Sequence, residues 1–333
     1  MHSSLREPAA QGAWVVAGVA LVANLLQLAG VYWDVGWHHA RHRDTFWSPP
    51  HLAIYAGVAL ALAAAAIGSF AARQTQWRTF NPAATRDYHM AALGPLIQIA
   101  AAPIDELWHR VIGPDVSVWS PPHLLGIIGG IVGVLGWALV LARHSGPGDA
   151  SWCSRWFTFA FTVLLLTGSL FALGEYDHDP VVREPWLYPA LTGLLVPWVL
   201  VAARNWLGWA WGGTLVSVGY TVLRLALAAG VWGMGLPWLG LPPVIVVGAV
   251  LLDSLAQRRG AGMAGAVFGL AFTLSDSPLT YLLSDRAWSI LEWAGTLPAA
   301  AAAGWASGLA GQYVSFIAAG GGPGYRAGRR RRG

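Results

Sequence analysis

Two windows of the chain hold carboxylates and imidazoles at spacings suited to metal coordination. The first reads Asp34-Val-Gly-Trp37-His38, then eight residues, then Trp47-Ser48-Pro49-Pro50-His51. The second reads Asp105-Glu-Leu-Trp108-His109, then nine residues, then Trp119-Ser120-Pro121-Pro122-His123. Eight identities recur in the same order, the mark of an internal repeat of a two-helix unit. An Asp and a His four apart share one helix face, with Cβ atoms roughly 6 Å apart. Ser before Pro-Pro suits a helix start: Ser caps, the first Pro loses no needed N–H, and the His falls in the first turn. The short loop returns the chain at the same depth, so one carboxylate and two imidazoles converge from neighbouring helices. The candidate ligand sets are Asp34, His38 and His51, and Asp105, His109 and His123. That chemistry suits Cu, Zn or Fe(II), and two His with one carboxylate and open positions is typical of oxygen-activating iron. A single histidine at a membrane interface is more often a wet, hydrogen-bonded side chain. It is the repetition of the whole triad that favours a metal.

Other polar residues lie close by in sequence. Asp44, Glu106 and Asp115 are candidates to orient the ligating imidazoles or relay protons. His39 and His42 are alternative ligands to the first set, with loop solvation as the plainer reading. Trp186-Leu-Tyr-Pro189-Ala190-Leu-Thr-Gly193 parallels Trp119-Ser-Pro-Pro122-His123-Leu-Leu-Gly126, with Ala190 in place of the ligand. The loop before it holds an acidic cluster, Glu175, Asp177, His178 and Asp179. This cluster is either a solvated loop or an accessory site for metal entry, with Asp276 and Asp285 as further partners.

The elements that must position these residues are membrane helices. Hydrophobic residues make up 56% of the 333 positions, charged residues only 11%, and mean hydropathy is +0.51. Soluble domains carry about 25% charged residues. The apolar positions fall in blocks of roughly 20, the length a helix needs to cross about 30 Å of hydrocarbon. The expectation is an all-α, polytopic bundle of about ten spans with repeated two-helix hairpins. The first five are Ala13 to about His38, Pro49–Ala72, His89–Ile112, Pro121–Arg143 and Arg155–Gly174. The last five are Pro185–Ala203, Trp209–Trp232, Leu236–Leu255, Ala261–Leu283 and about Thr296–Gly320. Pro242 and Pro243 interrupt the eighth, and the tenth is rich in Ala and Gly. Residues 1–143 form the metal-binding region, 144–320 an additional transmembrane bundle and 321–333 an Arg-rich tail.

Arg placement gives the expected orientation. Arg6, the group Arg73, Arg78 and Arg86, then Arg143, Arg155, Arg204, Arg258, Arg259 and the tail lie on one set of connections. The alternate set carries fewer: Arg41, Arg43, Arg110, Arg183 and Arg286. The positive-inside rule puts both termini in the cytoplasm and both triads near the outer face, in a bacterial plasma membrane. Trp33, Trp37, Trp47, Trp108, Trp119 and Trp186 then form an aromatic belt. The first apolar block reads as a retained span rather than a removed signal peptide. Arg224, mid-span, is expected to pair with an acid inside the bundle. The net charge of +4 comes from scattered Arg, which excludes a nucleic-acid face. Cys153 is alone, so intramolecular disulfides and CxxC motifs are excluded.

The run Asp34-Val-Gly-Trp-His38-His-Ala-Arg-His-Arg43-Asp44-Thr45-Phe-Trp47-Ser-Pro49-Pro-His51 resembles the C subunit of particulate methane and ammonia monooxygenases. That family shows an Asp, a Trp-His four residues on, an Arg-Asp-Thr and a Thr-Pro-x-His close. Its Asp and two His form a copper site, which the resemblance places at Asp34, His38 and His51. Its second site uses an Asn, a His four later and a His fourteen after that; here these are Asp105, His109 and His123, so Asp replaces Asn. The resemblance spans about residues 13–143 and implies copper, where the spacing alone implies only a metal. The extra carboxylate at the second site shifts preference toward Fe or Zn.

The leading expectation is a membrane monooxygenase or oxidase component with copper as cofactor, iron and zinc being the alternatives. It would act on a small apolar substrate with dioxygen, beside other monooxygenase subunits or a second copy of itself. One alternative is copper or zinc transport or handling, against which stand four Met and one Cys, since Cu(I) handling favours soft sulfur ligands. Another is a haem-b quinone protein, in which an Asp four residues before each His has no use.

Overall fold

A computed structural model describes residues 6–41, 45–76, 82–113, 117–144, 152–178, 187–284 and 287–320. Among these every regular element is a helix. The first six are α1 (Arg6–Arg41), α2 (Pro49–Gln76), α3 (Pro82–Val111), α4 (Pro121–His144), α5 (Trp152–Phe171) and α6 (Gly174–His178). The rest are α7 (Leu187–Leu195), α8 (Pro197–Leu207), α9 (Gly212–Gly233), α10 (Val246–Arg259), α11 (Ala261–Ser284) and α12 (Ile290–Ala318). A helix satisfies its own backbone, which is what an apolar chain in lipid requires. Large apolar side chains such as Val22, Phe70, Leu96, Ile99 and Val222 stay exposed along these helices, as lipid contact demands.

Eight helical stretches are long and apolar enough to span a bilayer. The protein is therefore an integral membrane protein. The eighth and tenth expected spans are not among the eight. Residues 236–245 are irregular around Pro242 and Pro243, and α10 has only 14 residues, about 21 Å of helix. The α12 helix, at 29 residues, is longer than expected yet is not among the eight. It starts at Ile290 rather than near Thr296 because Ser289 and Glu292 form a capping box. The expected sixth span is two helices, α7 and α8, divided at Val196 ahead of Pro197.

The chain forms two compact units. Unit 1 is drawn from Met1–His144, Ala150–Gly168 and Ala226–Leu239. In it α1 packs on α2, α2 on α3, and α3 on α4. Small residues set these approaches: a Cβ on Gly94 or Gly136 would run into the backbone of Gly133 or Ala91 on the facing helix. Gly136→Ala should therefore push α3 and α4 apart and cost about 1–3 kcal/mol, the usual penalty for overpacking. Thermal unfolding of the detergent-solubilised protein checks this. Deeper in the unit, Trp137 packs edge-on to Tyr88 and stacks on Phe161, with centroids 5.5 and 5.9 Å away. At the Arg-rich end, Arg143 of α4 pairs with the buried Asp87 of α3.

Unit 2 comprises Ser145–Asp149, Ser169–Leu225 and Gly240–Gly333. Here α11 packs on α12, α10 and α7. Two buried carboxylates tie off loose backbone. Asp253 of α10 accepts from the main-chain N–H and the hydroxyl of Thr214 at the start of α9, at 2.7 and 2.8 Å. Asp276 of α11 accepts from the N–H of Val244, next to the start of α10, and from the Thr280 hydroxyl. Irregular backbone in an apolar setting needs such partners. Arg224 is buried, at 1% exposure.

Candidate metal centre

Each triad is assembled by two helices and the turn between them, all inside unit 1. In the first, Asp34 and His38 lie one turn apart near the end of α1, and His51 sits in the first turn of α2. The His38 Nε2 is 3.5 Å from Asp34 Oδ2, and the His51 Nε2 is 3.4 Å from Asp34 Oδ1. In the second, Asp105 and His109 close α3 and His123 opens α4. Here Asp105 Oδ1 is 3.8 Å from His109 Nε2 and 3.2 Å from His123 Nε2. In each triad one ligand atom per residue lies within 4.8 Å of the other two. All six expected ligands are thus brought together as two sets of three.

The two turns share one hydrogen-bonding scheme. The Thr45 carbonyl accepts from the Ser48 N–H at 2.9 Å and faces the His51 Nδ1 at 3.1 Å. The Ser117 carbonyl accepts from the Ser120 N–H at 3.3 Å and faces the His123 Nδ1 at 2.6 Å. A carbonyl only accepts, so Nδ1 carries the proton in both rings and Nε2 turns its lone pair toward the Asp. Two electron-rich atoms then face each other across 3.2 and 3.4 Å. Such a contact is repulsive unless a cation lies between them. A protonated imidazole would close on a carboxylate to about 2.7–2.9 Å. Buried Asp34 Oδ1, Asp105 Oδ1 and His109 Nε2 instead have no hydrogen-bond partner. The ligand bonds of such an ion, about 2.0–2.2 Å long, place neighbouring donors roughly 3.0–3.5 Å apart. Three of the four carboxylate–imidazole separations fall in that range, and the fourth, His109 to Asp105 at 3.8 Å, is wider.

The surroundings of the triads differ. Phe46, Trp47 and Tyr55 gather beside His51, with the Tyr55 ring 5.8 Å from the imidazole. At the second triad His109 and His123 meet edge to face at 6.1 Å. Their side chains are 20% and 28% exposed, against 12% and 14% for His38 and His51. The second site is the more exposed of the two.

Several expected neighbours do other work or fall elsewhere. Glu106, expected to orient an imidazole, is taken by Arg110 one turn on, at 2.7 Å. His39 bonds the Val35 carbonyl at 2.8 Å and belongs to neither triad. Asp44, Asp115, His42, Asp179 and Asp285 lie outside the described residues, as do the side chains of Asp177 and His178. Glu175 is on α6, while Asp276 is committed to Val244 and Thr280, so neither joins a metal-binding set among the described residues.

Two features escaped sequence reasoning. One is the pair of carbonyls six residues before His51 and His123, whose only trace is a hydroxyl residue, Thr45 or Ser117, at the same offset. The other is the pair Gln27 and Gln98, each seven residues before its Asp and bonded to each other at 2.8 Å. Polar side chains at equal offsets inside two apolar spans were the available signal. No protein-family model, curated protein or solved structure matches the chain.

Proposed function

We propose that the protein is a copper-dependent membrane monooxygenase component that holds two metal ions and acts on a small apolar substrate with dioxygen. The observation that carries this reading is the lone-pair confrontation of Asp and His, built twice with the same turn. The likeness of residues 34–51 to the copper-site motif of the monooxygenase C subunit supports copper over iron or zinc. Asp34, His38 and His51 would hold one ion, and Asp105, His109 and His123 the other. A bound copper or iron supplies one-electron redox chemistry and open coordination positions for dioxygen. The Thr45 and Ser117 carbonyls hold His51 and His123 in the tautomer that presents Nε2. The aromatic group beside His51 excludes water and offers an apolar substrate a surface reached from the lipid. A carboxylate within 3.5 Å of both imidazoles in the first triad favours a bare ion over a haem.

In this reading the two hairpins are copies of one unit, and α12 and residues 236–259 complete ten crossings. Both termini are cytoplasmic and the triads open near the outer face of a bacterial plasma membrane. Other monooxygenase subunits or a second copy of this chain would be the partners. Single cysteines placed in the 113–120 and 144–152 connections, in a Cys153→Ser background, should be labelled from opposite sides. Labelling of both from one side would refute the topology.

Reduction and reoxidation test the chemistry. Copper-loaded protein, reduced without oxygen and then exposed to it, should show its oxidised spectrum return. The His109→Ala variant should lose the second site's share of that change. The zinc-loaded form should keep its fold and show no response, because zinc is redox-inert. Asp105→Asn, which keeps an oxygen donor and removes one charge, should retain metal and shift preference toward copper. A loaded centre indifferent to both reductant and oxygen would leave metal handling as the better reading.

A further inference from the structure

Gln27 and Gln98 are polar side chains in the apolar middle of α1 and α3. Each lies seven residues, two helical turns, before the Asp of its own helix, on nearly the same face. The Gln27 side-chain amide donates to the Gln98 oxygen at 2.8 Å, and the Gln98 amide donates to the Gly126 carbonyl at 3.2 Å. Gly126 is on α4, three residues beyond His123. One amide, that of Gln98, therefore links three of the four helices that carry ligands: α1 with Asp34, α3 with Asp105 and α4 with His123.

The seats of both glutamines are equivalent as well. A Cβ on Gly57 would lie 2.7 Å from the Gln27 backbone nitrogen and 2.8 Å from the Ala23 carbonyl. A Cβ on Gly129 would lie 2.7 Å from the Gln98 Cγ and 2.8 Å from the Gly94 carbonyl. The facing helix thus holds each glutamine with no slack, so a shift at Gln98 is passed to its neighbours. Since α1 and α3 both reach their triads at their C-terminal ends, the two triads stand at the same end of unit 1. As interhelical glue alone, one such bond adds only modestly to membrane-protein stability. Its distinguishing feature is its place, on the joint between the two triads.

We propose that Gln98 is a positioning residue shared by both triads: it sets the depth and spacing of α1, α3 and α4 so that each ligand set closes around its ion. The proposal rests on the metal reading above. It says that a residue touching none of the six ligands controls the affinity of both sites.

The test uses the full chain in lipid nanodiscs, with Cu(II) as the probe. His123→Ala leaves only the first triad and His51→Ala only the second. Adding Gln98→Met to each should lower Cu(II) affinity roughly tenfold, the lower end of what an indirect partner of a ligand costs. The Cu(II) electron paramagnetic resonance parameters of both sites should shift as well. If Gln98→Met does not fold, Gln27→Met cuts only the α1–α3 bond and should weaken the first triad. A folded Gln98→Met or Gln27→Met protein that only melts earlier, with first-triad affinity and spectrum unchanged, would overturn the proposal and leave the metal reading intact. Failure of both parent single-site proteins to bind copper would overturn the metal reading, and this proposal with it.

Discussion

His51→Ala should remove one of the two proposed metal ions and leave the other in place, and His123→Ala should do the same at the opposite site. Each triad has its own carboxylate, its own pair of imidazoles and its own turn, and no ligand atom is shared. Alanine at either position deletes the imidazole that a main-chain carbonyl has fixed in the coordinating tautomer. It leaves one carboxylate and one imidazole, too few to hold an ion against a mild chelator. Affinity at the altered site should fall by more than the roughly 100-fold that loss of an indirect partner can cost. Elemental analysis of each variant should give one ion where the parent gives two. Loss of all metal from either single change would mean that both hairpins ligate one shared ion or cluster.

Asp87→Ala should be the most destabilising single substitution in unit 1 outside the triads. Asp87 is 3% exposed, and Arg143 donates to it from both Nε and Nη2. Removing one partner strands a largely buried guanidinium, a change that costs about 3–5 kcal/mol. It also frees the end of α4 opposite His123, so the second triad should loosen before the first. The double variant Asp87→Leu/Arg143→Met should recover most of the stability, because an apolar pair of similar volume replaces a buried ion pair at little cost. Thermal unfolding of the three variants checks the order. A double variant no better than Asp87→Ala would mean that Arg143 has a separate role.

The two triads were legible in the sequence because their pattern needs only helix periodicity and a Pro-Pro start, and it occurs twice. The first five spans were legible for a similar reason, since Pro and Arg interrupt the apolar blocks sharply. The boundary errors have local causes. The expected eighth span is not one continuous helix, because Pro242 and Pro243 remove two backbone donors and the Val244 N–H is satisfied by Asp276 from another helix. The tenth starts early because Ser289 and Glu292 cap it. The Thr45 and Ser117 carbonyls could not be read directly, since main-chain acceptors leave no residue signature. The Gln27–Gln98 bond is tertiary, and apolar periodicity does not indicate which polar residues of two spans will meet. Glu106 was misread because its partner one turn on, Arg110, competes with the imidazole.

Copper-edge X-ray absorption on the metal-loaded wild-type protein, paired with elemental analysis, tests the central claim most directly. The account predicts two copper ions per chain, each with nitrogen and oxygen neighbours at about 2.0 Å, outer scattering from two imidazoles and no sulfur. The double variant Asp34→Ala/Asp105→Ala should lose both ions and this signature while keeping its helices. A wild-type protein that takes up no metal, or one whose copper is ligated by sulfur and survives in the double variant, would contradict the account.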